Sequence, residues 1–187
     1  MPLLPDIGPD DHVVGPDAST GVVTLVHYGD FECPLSGEVH AIVREVRDAF
    51  PSRVRFVYRH FPLRTHENAL AAAVAADEAG RQGAFWPFHD RLFAHPLDLG
   101  PDGLVAHAEA VGLAGPAVRR ALERPESGPP VLAQKRDGVR AGVRSTLNLW
   151  IDGALYEDET IDEALAAHVI RPLRADTTPP GAVQRPA

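Results

Sequence analysis

The spacing of apolar side chains predicts a strand, a helix and a second strand between residues 22 and 61. Residues 22–28, VVTLVHY, are mostly β-branched and apolar, which is typical of a strand buried on both faces. Residues 53–61, RVRFVYRHF, have the same character and end at a proline. The order predicts two parallel strands joined by a right-handed crossover. The intervening helix is indicated by apolar residues at helical spacing: Val39, Ile42, Val43, Val46 and Phe50.

A longer helical pattern follows, and it separates this unit from a final hairpin. Residues 146–153, TLNLWIDG, predict a strand that ends in an Asp-Gly hairpin turn, and residues 154–158 pair back. A closing helix is expected over residues 160–173, with Thr160 as its N-cap and Glu163 as the capping-box partner. Five helices are predicted before the hairpin, over residues 67–80, 84–95, 102–113, 115–124 and 130–143.

The chain length of 187 residues suits one domain. Residues 1–20 are rich in proline, glycine and aspartate, and they are interpreted as an irregular N-terminal lead-in. Residues 21–174 are predicted to form a single α/β domain, with a helical insertion at about residues 65–142. The proline-containing residues 175–187 are expected to be a disordered tail.

Composition and charge narrow the function classes. The formal net charge of −8 argues against binding nucleic acid, which selects basic surfaces, and against binding an anionic membrane. No run approaches the roughly 18 apolar residues of a membrane-spanning helix, and the N-terminus lacks the features of a signal peptide. The single cysteine permits no internal disulfide. These observations predict a cytoplasmic protein.

The one cysteine is placed where a thiol would be reactive. Cys33 precedes Pro34 at the predicted start of a helix, and the helix dipole stabilises a thiolate there. The nearby charges of Asp30 and Glu32 oppose this effect. The plainer interpretation is that Cys33 is a small apolar residue of the core. His27 likewise has two interpretations, as a hydrogen-bonded core histidine or as the group that holds or deprotonates the thiol.

Four other histidines raise the question of a metal site: His60, His66, His89 and His95. No pair of them has a recognised ligand signature such as H-E-x-x-H. A pair formed by Cys33 and His27 would supply only two of the about four ligands that zinc needs. The sequence therefore predicts no metal ion and no bound cofactor.

Several strings resemble the DsbA-like branch of the thioredoxin-fold proteins in their order and spacing: DHVVGP, VTLVHYGDFECP, RFVYRHFPL, AFWPFHDRLF and GVRSTLNLWIDG. The resemblance covers roughly residues 11–171. It implies an α/β, thioredoxin-like fold (β-α-β / β-β-α) with a helical insertion, in a thiol–disulfide oxidoreductase family. In that family Cys33 would be the nucleophile. The substrate would dock beside the cysteine motif and the loop that faces it, at Pro34, Leu35, Thr146 and Leu147.

Three residues depart from the family pattern. Ser36 stands where the second cysteine of the motif would be, so no disulfide can form within the motif. Leu147 replaces the cis-proline that faces the nucleophile. A cis bond before a non-proline residue costs about 2.5–4 kcal/mol, so a trans Thr146–Leu147 bond and a reshaped loop are expected. His27 replaces the buried acid that serves the second thiol.

Two hypotheses from different classes follow. In the first, the protein is a monothiol enzyme with weak dithiol activity. Cys33 forms mixed disulfides with protein or glutathione thiols, an external thiol resolves them, and Ser36 donates a hydrogen bond to the thiolate. In the second, the chain is a non-catalytic binding or scaffold protein that has lost redox turnover. Glutathione as a co-substrate and a homodimer as the assembly are left open.

Overall fold

The computed structural model describes residues 4–156 together with Ala167 and Leu173. Within these residues, five strands and six α-helices follow one another, with a 3-10 turn at Pro125–Ser127. The elements are β1 His12–Val14, β2 Val23–Gly29, α1 Pro34–Ala49, β3 Val54–His60, α2 Ala69–Arg81, α3 Phe85–Ala94, α4 Pro101–Ala110, α5 Gly115–Glu123, α6 Gly128–Arg140, β4 Trp150–Ile151 and β5 Ala154–Leu155.

The strands form one mixed sheet in the order β1-β3-β2-β4-β5. Strands β2 and β3 are parallel over their whole length, from Val23 opposite Val54 to Gly29 opposite His60. Strand β1 is antiparallel to β3, β4 is antiparallel to β2, and β5 is antiparallel to β4. The predicted order of β-α-β unit, helical insertion and β-hairpin is therefore confirmed, with α1 as the crossover.

Two segments differ from the sequence-based expectation. His12–Val14 forms a fifth strand inside the lead-in that had been expected to be irregular. Three residues are too few to show a periodic pattern, and the pairing comes from contact with β3. The predicted strand 146–153 is reduced to Trp150–Ile151, because the residues before it form an irregular loop.

The Asp-Gly hairpin turn is confirmed. Asp152 and Gly153 both have positive φ values, 49° and 83°, as a two-residue turn with two left-handed positions requires. The five predicted helices of the insertion are present, with their ends shifted by a few residues. The expected closing helix 160–173, apart from Ala167 and Leu173, and the expected tail 175–187 lie outside the described residues.

The sheet is buried on both faces, as the apolar strand sequences indicate. One face packs against α1, α2 and α3 through a large cluster that includes Leu25, Phe56 and Phe88. The other face is covered around Val26 and Trp150. Among the helices that the structure describes, none is long and apolar enough to cross a membrane. The packing holds the carboxyl ends of β2 and β3 rigid, and these ends carry the candidate site.

Candidate active site around Cys33

Cys33 is the N-cap residue of α1, the long helix that follows β2. Its backbone is extended, with φ −85° and ψ 123°, and Pro34 occupies the first turn, where a missing N–H is tolerated. The amino end of the helix favours an anion at this position. The residue is only 7% exposed, so the thiol is close to the surface but mostly covered. The position suits a stabilised thiolate.

The sulfur has one direct hydrogen-bonding partner among the described residues. The Thr146 hydroxyl donates to Cys33 Sγ at 2.9 Å. Thr146 is 1% exposed and lies in the loop before β4, so the bond joins the end of the helical insertion to the cysteine. Hydrogen bonds to an ionised acceptor are stronger than those to a neutral one. The contact therefore stabilises the thiolate more than the thiol.

His27 acts on the cysteine through Thr146. Its ring N–H at Nε2 donates to the Thr146 carbonyl oxygen at 3.2 Å. The side chain is fully buried, and this burial lowers its pKa from 6.5 to about 3. The imidazole is therefore neutral at ordinary pH and a weak base. The geometry agrees with a core histidine that holds Thr146 in place and leaves deprotonation of Cys33 to other groups.

Ser36 is turned away from the sulfur. Its hydroxyl oxygen accepts a hydrogen bond from the backbone N–H of Asp30 at 3.0 Å, and the side chain is fully buried. The serine thus braces the loop that carries Cys33. The hydrogen bond to sulfur that sequence analysis assigned to Ser36 is supplied by Thr146.

Asp30 organises the cysteine loop. One carboxylate oxygen accepts from the Glu32 backbone N–H at 2.9 Å. The other accepts from the backbone N–H of Leu63 at 2.9 Å and from the ring N–H of His66 at 2.8 Å. The Asp30 carbonyl oxygen accepts from the Cys33 N–H at 3.1 Å. From the sequence alone Asp30 is only a repelling charge, because Leu63 and His66 lie more than thirty positions away along the chain.

Glu32 fixes the same loop to the start of α2. Its carboxylate accepts from the backbone N–H of Asn68 at 2.6 Å and from the Asn68 side-chain amide at 3.2 Å. Asp30 and Glu32 therefore attach the cysteine loop to the segment that leads from β3 into the helical insertion. Neither acid is an isolated charge beside the thiol.

Tyr58 is a site residue that no pattern in the sequence indicates. It lies on β3, is fully buried, and its hydroxyl has no hydrogen-bond partner among the described residues. Burial raises its pKa well above 10, and the negative charges of Asp30 and Cys33 add to the rise. A Cβ at Gly29 would lie 2.5 Å from the Tyr58 ring and 2.8 Å from the His27 ring. Glycine at position 29 therefore lets both rings pack next to the cysteine loop.

The expected docking residues divide into an exposed pair and a covered pair. Pro34 and Leu35 are exposed next to Cys33, with Leu35 at 40%. Thr146 is buried and its carbonyl oxygen is taken by His27, whereas Leu147 is half-buried and packs on the core. The Thr146–Leu147 bond is trans, as predicted, and no cis peptide occurs in residues 4–156. Only the exposed pair offers an open apolar surface.

The four histidines weighed as metal ligands do not form one group. His66 hydrogen-bonds Asp30, and His89 Nδ1 hydrogen-bonds the Asp90 carboxylate at 2.8 Å. His95 Nδ1 donates to the Arg91 carbonyl oxygen at 2.9 Å. His60 is buried at the end of β3 and packs against Tyr58 and Phe85, the rings that His89 also contacts.

Residues 8–169 match the family model described as thioredoxin. Among solved structures, a thioredoxin-like oxidoreductase from Silicibacter pomeroyi DSS-3 superposes with a TM-score of 0.74 at 27% sequence identity, covering 90% of this chain and 94% of that one. A periplasmic thioredoxin-like protein from Salmonella enterica serovar Typhimurium has a TM-score of 0.70 at 18% identity, covering 89% and 92%. These comparisons confirm the predicted thioredoxin-like fold with its helical insertion.

A curated relative is much longer than this chain. The Na(+)/H(+) antiporter NhaA 1 of Salinispora arenicola (strain CNS-205) is 39% identical over 170 residues, which is 89% of this chain and 26% of the antiporter. The chain spans about a quarter of the length of this curated relative.

The prediction of a cytoplasmic location is wrong. It is contradicted by the periplasmic protein that shares the fold and by curated relatives that are sodium/proton antiporters. The inference rested on the single cysteine together with the lack of signal-peptide features and of a membrane-spanning run in the sequence. One cysteine excludes an internal disulfide, but it does not report the redox state of the compartment in which the chain works.

Proposed function

Because the chain belongs to the thioredoxin family, we propose that it is a thiol–disulfide oxidoreductase that works with one thiol, Cys33. Its substrates would be protein disulfides or proteins carrying a small thiol in mixed disulfide linkage. An external monothiol, such as glutathione, would complete the cycle. No second cysteine exists in the chain to do so.

The proposed cycle consists of two exchange steps. The Cys33 thiolate attacks a substrate disulfide, a Cys33–substrate disulfide forms, and the other substrate sulfur leaves as a thiolate that takes a proton from water. A thiolate of the external monothiol then attacks the sulfur attached to Cys33. The Cys33 thiolate is released, and the monothiol and the substrate fragment leave as a disulfide. When that fragment is itself glutathione, the product is oxidised glutathione.

The hydrogen bond from Thr146 to Cys33 carries the proposal. A buried hydroxyl that donates to a thiol sulfur at 2.9 Å, at the amino end of a helix, favours the ionised sulfur. His27 supports the same arrangement by holding the Thr146 backbone from the other side. The exposed apolar pair Pro34 and Leu35 supports docking of an unfolded or extended protein segment next to the sulfur.

The test compares two substitutions at position 146. Thr146→Val removes the hydroxyl and keeps the shape, whereas the control Thr146→Ser keeps the hydroxyl. Removal of the hydroxyl takes a hydrogen bond away from the ionised sulfur. Thr146→Val should therefore react more slowly with iodoacetamide than the wild type, whereas Thr146→Ser should react at about the wild-type rate.

Exposure of the reduced protein to oxidised glutathione tests the first exchange step. Mass spectrometry should find a stable mixed disulfide on Cys33, released by added reduced glutathione. Insulin reduction driven by a dithiol should remain slow. A Cys33→Ser variant is the negative control for both mixed-disulfide formation and insulin reduction. Rapid turnover without a monothiol would contradict the proposal, since it would need a second resolving thiol.

One observation favours the alternative of a non-catalytic binding protein. Cys33 is 93% covered, so a substrate disulfide has little direct access to the sulfur in the described conformation. If Cys33 stays unmodified in oxidised glutathione and the Thr146→Val and Thr146→Ser variants react at the same rate, the binding function is the better description of this chain.

A further inference from the structure

Three potential metal ligands from separate elements converge on the outer part of the sheet. His12 lies on β1, His60 ends β3, and Asp77 lies on α2. One ligand atom from each is within 4.8 Å of the other two. His12 Nε2 and Asp77 Oδ1 are 3.7 Å apart, too far for a hydrogen bond. None of its three members hydrogen-bonds Cys33 among the described residues.

The environment of His60 indicates that these three side chains bind an ion. The side chain is 1% exposed, and neither of its ring nitrogens has a hydrogen-bond partner among the described residues. His12 Nε2 is also buried without a partner there. A buried polar atom left unpaired is destabilising, and natural structures pair almost all such atoms with protein, water or an ion. Unpaired imidazole nitrogens within 4.8 Å of one carboxylate oxygen are the atoms that a metal ion would satisfy.

The surrounding residues hold the ligands in position. The His12 ring stacks on Phe85, with ring centres 3.5 Å apart and planes 6° apart. A Cβ at Gly80 would come within 3.0 Å of the His12 ring, so glycine leaves space for it. The Asp77 oxygen that does not face His12 accepts a hydrogen bond from Arg81 at 2.7 Å. Outer partners of this kind orient ligands in known metal sites.

A cavity gives the site an entrance. His12 and Asp77 line a cavity of about 890 Å³, together with Asp10, Trp86 and Gln134. His60 does not line this cavity, and its side chain is buried. A metal ion held by these ligands would keep one coordination position open toward the cavity.

We propose that His12, His60 and Asp77 bind a divalent transition-metal ion, with Zn²⁺ as the best match. Two imidazoles and one carboxylate, with a fourth position open, form a recognised zinc ligand set. Tetrahedral ligands at about 2.1 Å from zinc lie about 3.4 Å apart, close to the 3.7 Å between His12 and Asp77. The ion joins the short strand β1 to β3 and α2. It thereby fixes an N-terminal segment that pairs with the sheet through only three residues.

A second group, His40, His89 and Asp90, is the weaker candidate. Its carboxylate already accepts a hydrogen bond from His89 at 2.8 Å. It lines neither the cavity beside His12 nor the one beside Leu132. This group provides a matched control in the same chain.

The test is a Zn²⁺ titration of the full chain, made without a histidine tag, stripped with a chelator and carrying Cys33→Ser so that the thiol cannot bind the ion. Isothermal titration calorimetry should give one Zn²⁺ per chain. In thermal unfolding, the melting temperature should rise with Zn²⁺. Asp77→Asn should weaken binding at least tenfold, whereas Asp90→Asn should leave it unchanged. Co²⁺ should show the visible absorption of a tetrahedral site.

Several results would overturn the inference. One is no binding to the tag-free chain, and another is a Co²⁺ spectrum of an octahedral ion. A third is binding that survives Asp77→Asn and is lost in Asp90→Asn. If Asp77→Asn fails to fold, His12→Gln takes its place, since it removes a different ligand of the same group. The result is independent of the proposed thiol function, because Cys33 is absent throughout.

Discussion

Replacement of His27 by glutamine should make the protein less sensitive to acid. His27 is fully buried and donates one hydrogen bond, from Nε2 to the Thr146 carbonyl oxygen. A glutamine amide can donate the same bond but does not titrate. The substitution therefore separates the protonation of this side chain from its structural role.

The magnitude follows from the shifted pKa. In the unfolded chain the histidine has a pKa near 6.5, and burial lowers it to about 3 in the folded protein. Below pH 6.5 the unfolded state binds a proton that the folded state does not, so stability is full above pH 6.5 and is lost as the pH falls toward 3. Between pH 7.5 and pH 5.0 the loss from this one residue is about 2 kcal/mol.

Urea unfolding at pH 7.5 and pH 5.0, followed by the fluorescence of Trp86 and Trp150, measures the effect. Other buried histidines also have lowered pKa values, among them His40 and His89, so the wild-type protein should lose more than 2 kcal/mol in total. These other histidines are unchanged in the His27→Gln variant, so their contribution is the same in both proteins. The His27→Gln protein should therefore lose about 2 kcal/mol less than the wild type over this range.

Parallel pH profiles for the two proteins would refute the reasoning, because they would mean that His27 titrates alike in the folded and unfolded states. If His27→Gln does not unfold cooperatively at pH 7.5, NMR of the wild type replaces the comparison. The His27 ring resonances should then stay constant from pH 7.5 to pH 5.0.

Three further predictions concern stability and turnover. Gly29→Ala should destabilise the fold by about 3 kcal/mol in urea, because the new Cβ would overlap two buried rings. Asp11→Asn should cost about 3 kcal/mol in the same assay, since Asp11 forms a buried bidentate pair with Arg59 at 2.6 and 2.7 Å. Ser36→Cys should restore little insulin reduction alone. Ser36→Cys with Leu147→Pro should give more activity than the sum of the two single variants, because both changes serve one step.

The first two of these predictions have a control in the chain. A Cβ at Gly37 meets no atom within 4 Å, so Gly37→Ala should not destabilise the protein. Asp6 uses only its backbone carbonyl toward Arg59, so Asp6→Asn should be neutral. Equal stabilities of the Gly29→Ala and Gly37→Ala proteins would contradict the packing argument. Equal stabilities of the Asp11→Asn and Asp6→Asn proteins would contradict the ion-pair argument. Full insulin reductase activity from Ser36→Cys alone would show that the loop at Leu147 and the histidine at position 27 are tolerated.

Much of the fold could be predicted because its elements have strong periodic patterns. Strands β2 and β3 and the helices of the insertion are long enough for such patterns to show. Strand β1 has three residues and exists because β3 pairs with it. The loop at 146–149 could not be predicted, because its shape depends on Asn148 and Thr146, which bond to β2 and to the cysteine.

The site could be predicted only as far as local motifs reach. Cys33, Ser36 and His27 were predicted because their positions relative to one helix start resemble a family pattern, and Thr146 and Leu147 were predicted because a second string resembles the same family. Tyr58 and His12 were missed, because the first reaches the cysteine loop across the sheet and the second belongs to a segment without a visible pattern. Contacts between residues so far apart in the chain have no signature in a single sequence.

The cysteine loop touches both ends of the helical insertion. At the entrance, Asp30 holds Leu63 and His66, and Glu32 holds Asn68. At the exit, Thr146 reaches the sulfur itself. An adduct on the sulfur must compete with the Thr146 hydroxyl, so a change in sulfur chemistry loosens the exit while the entrance stays tethered. The packing of α2 and α3 on the sheet does not involve the sulfur, so the loop at 146–149 is the segment whose hydrogen bonding depends on whether the thiol is occupied.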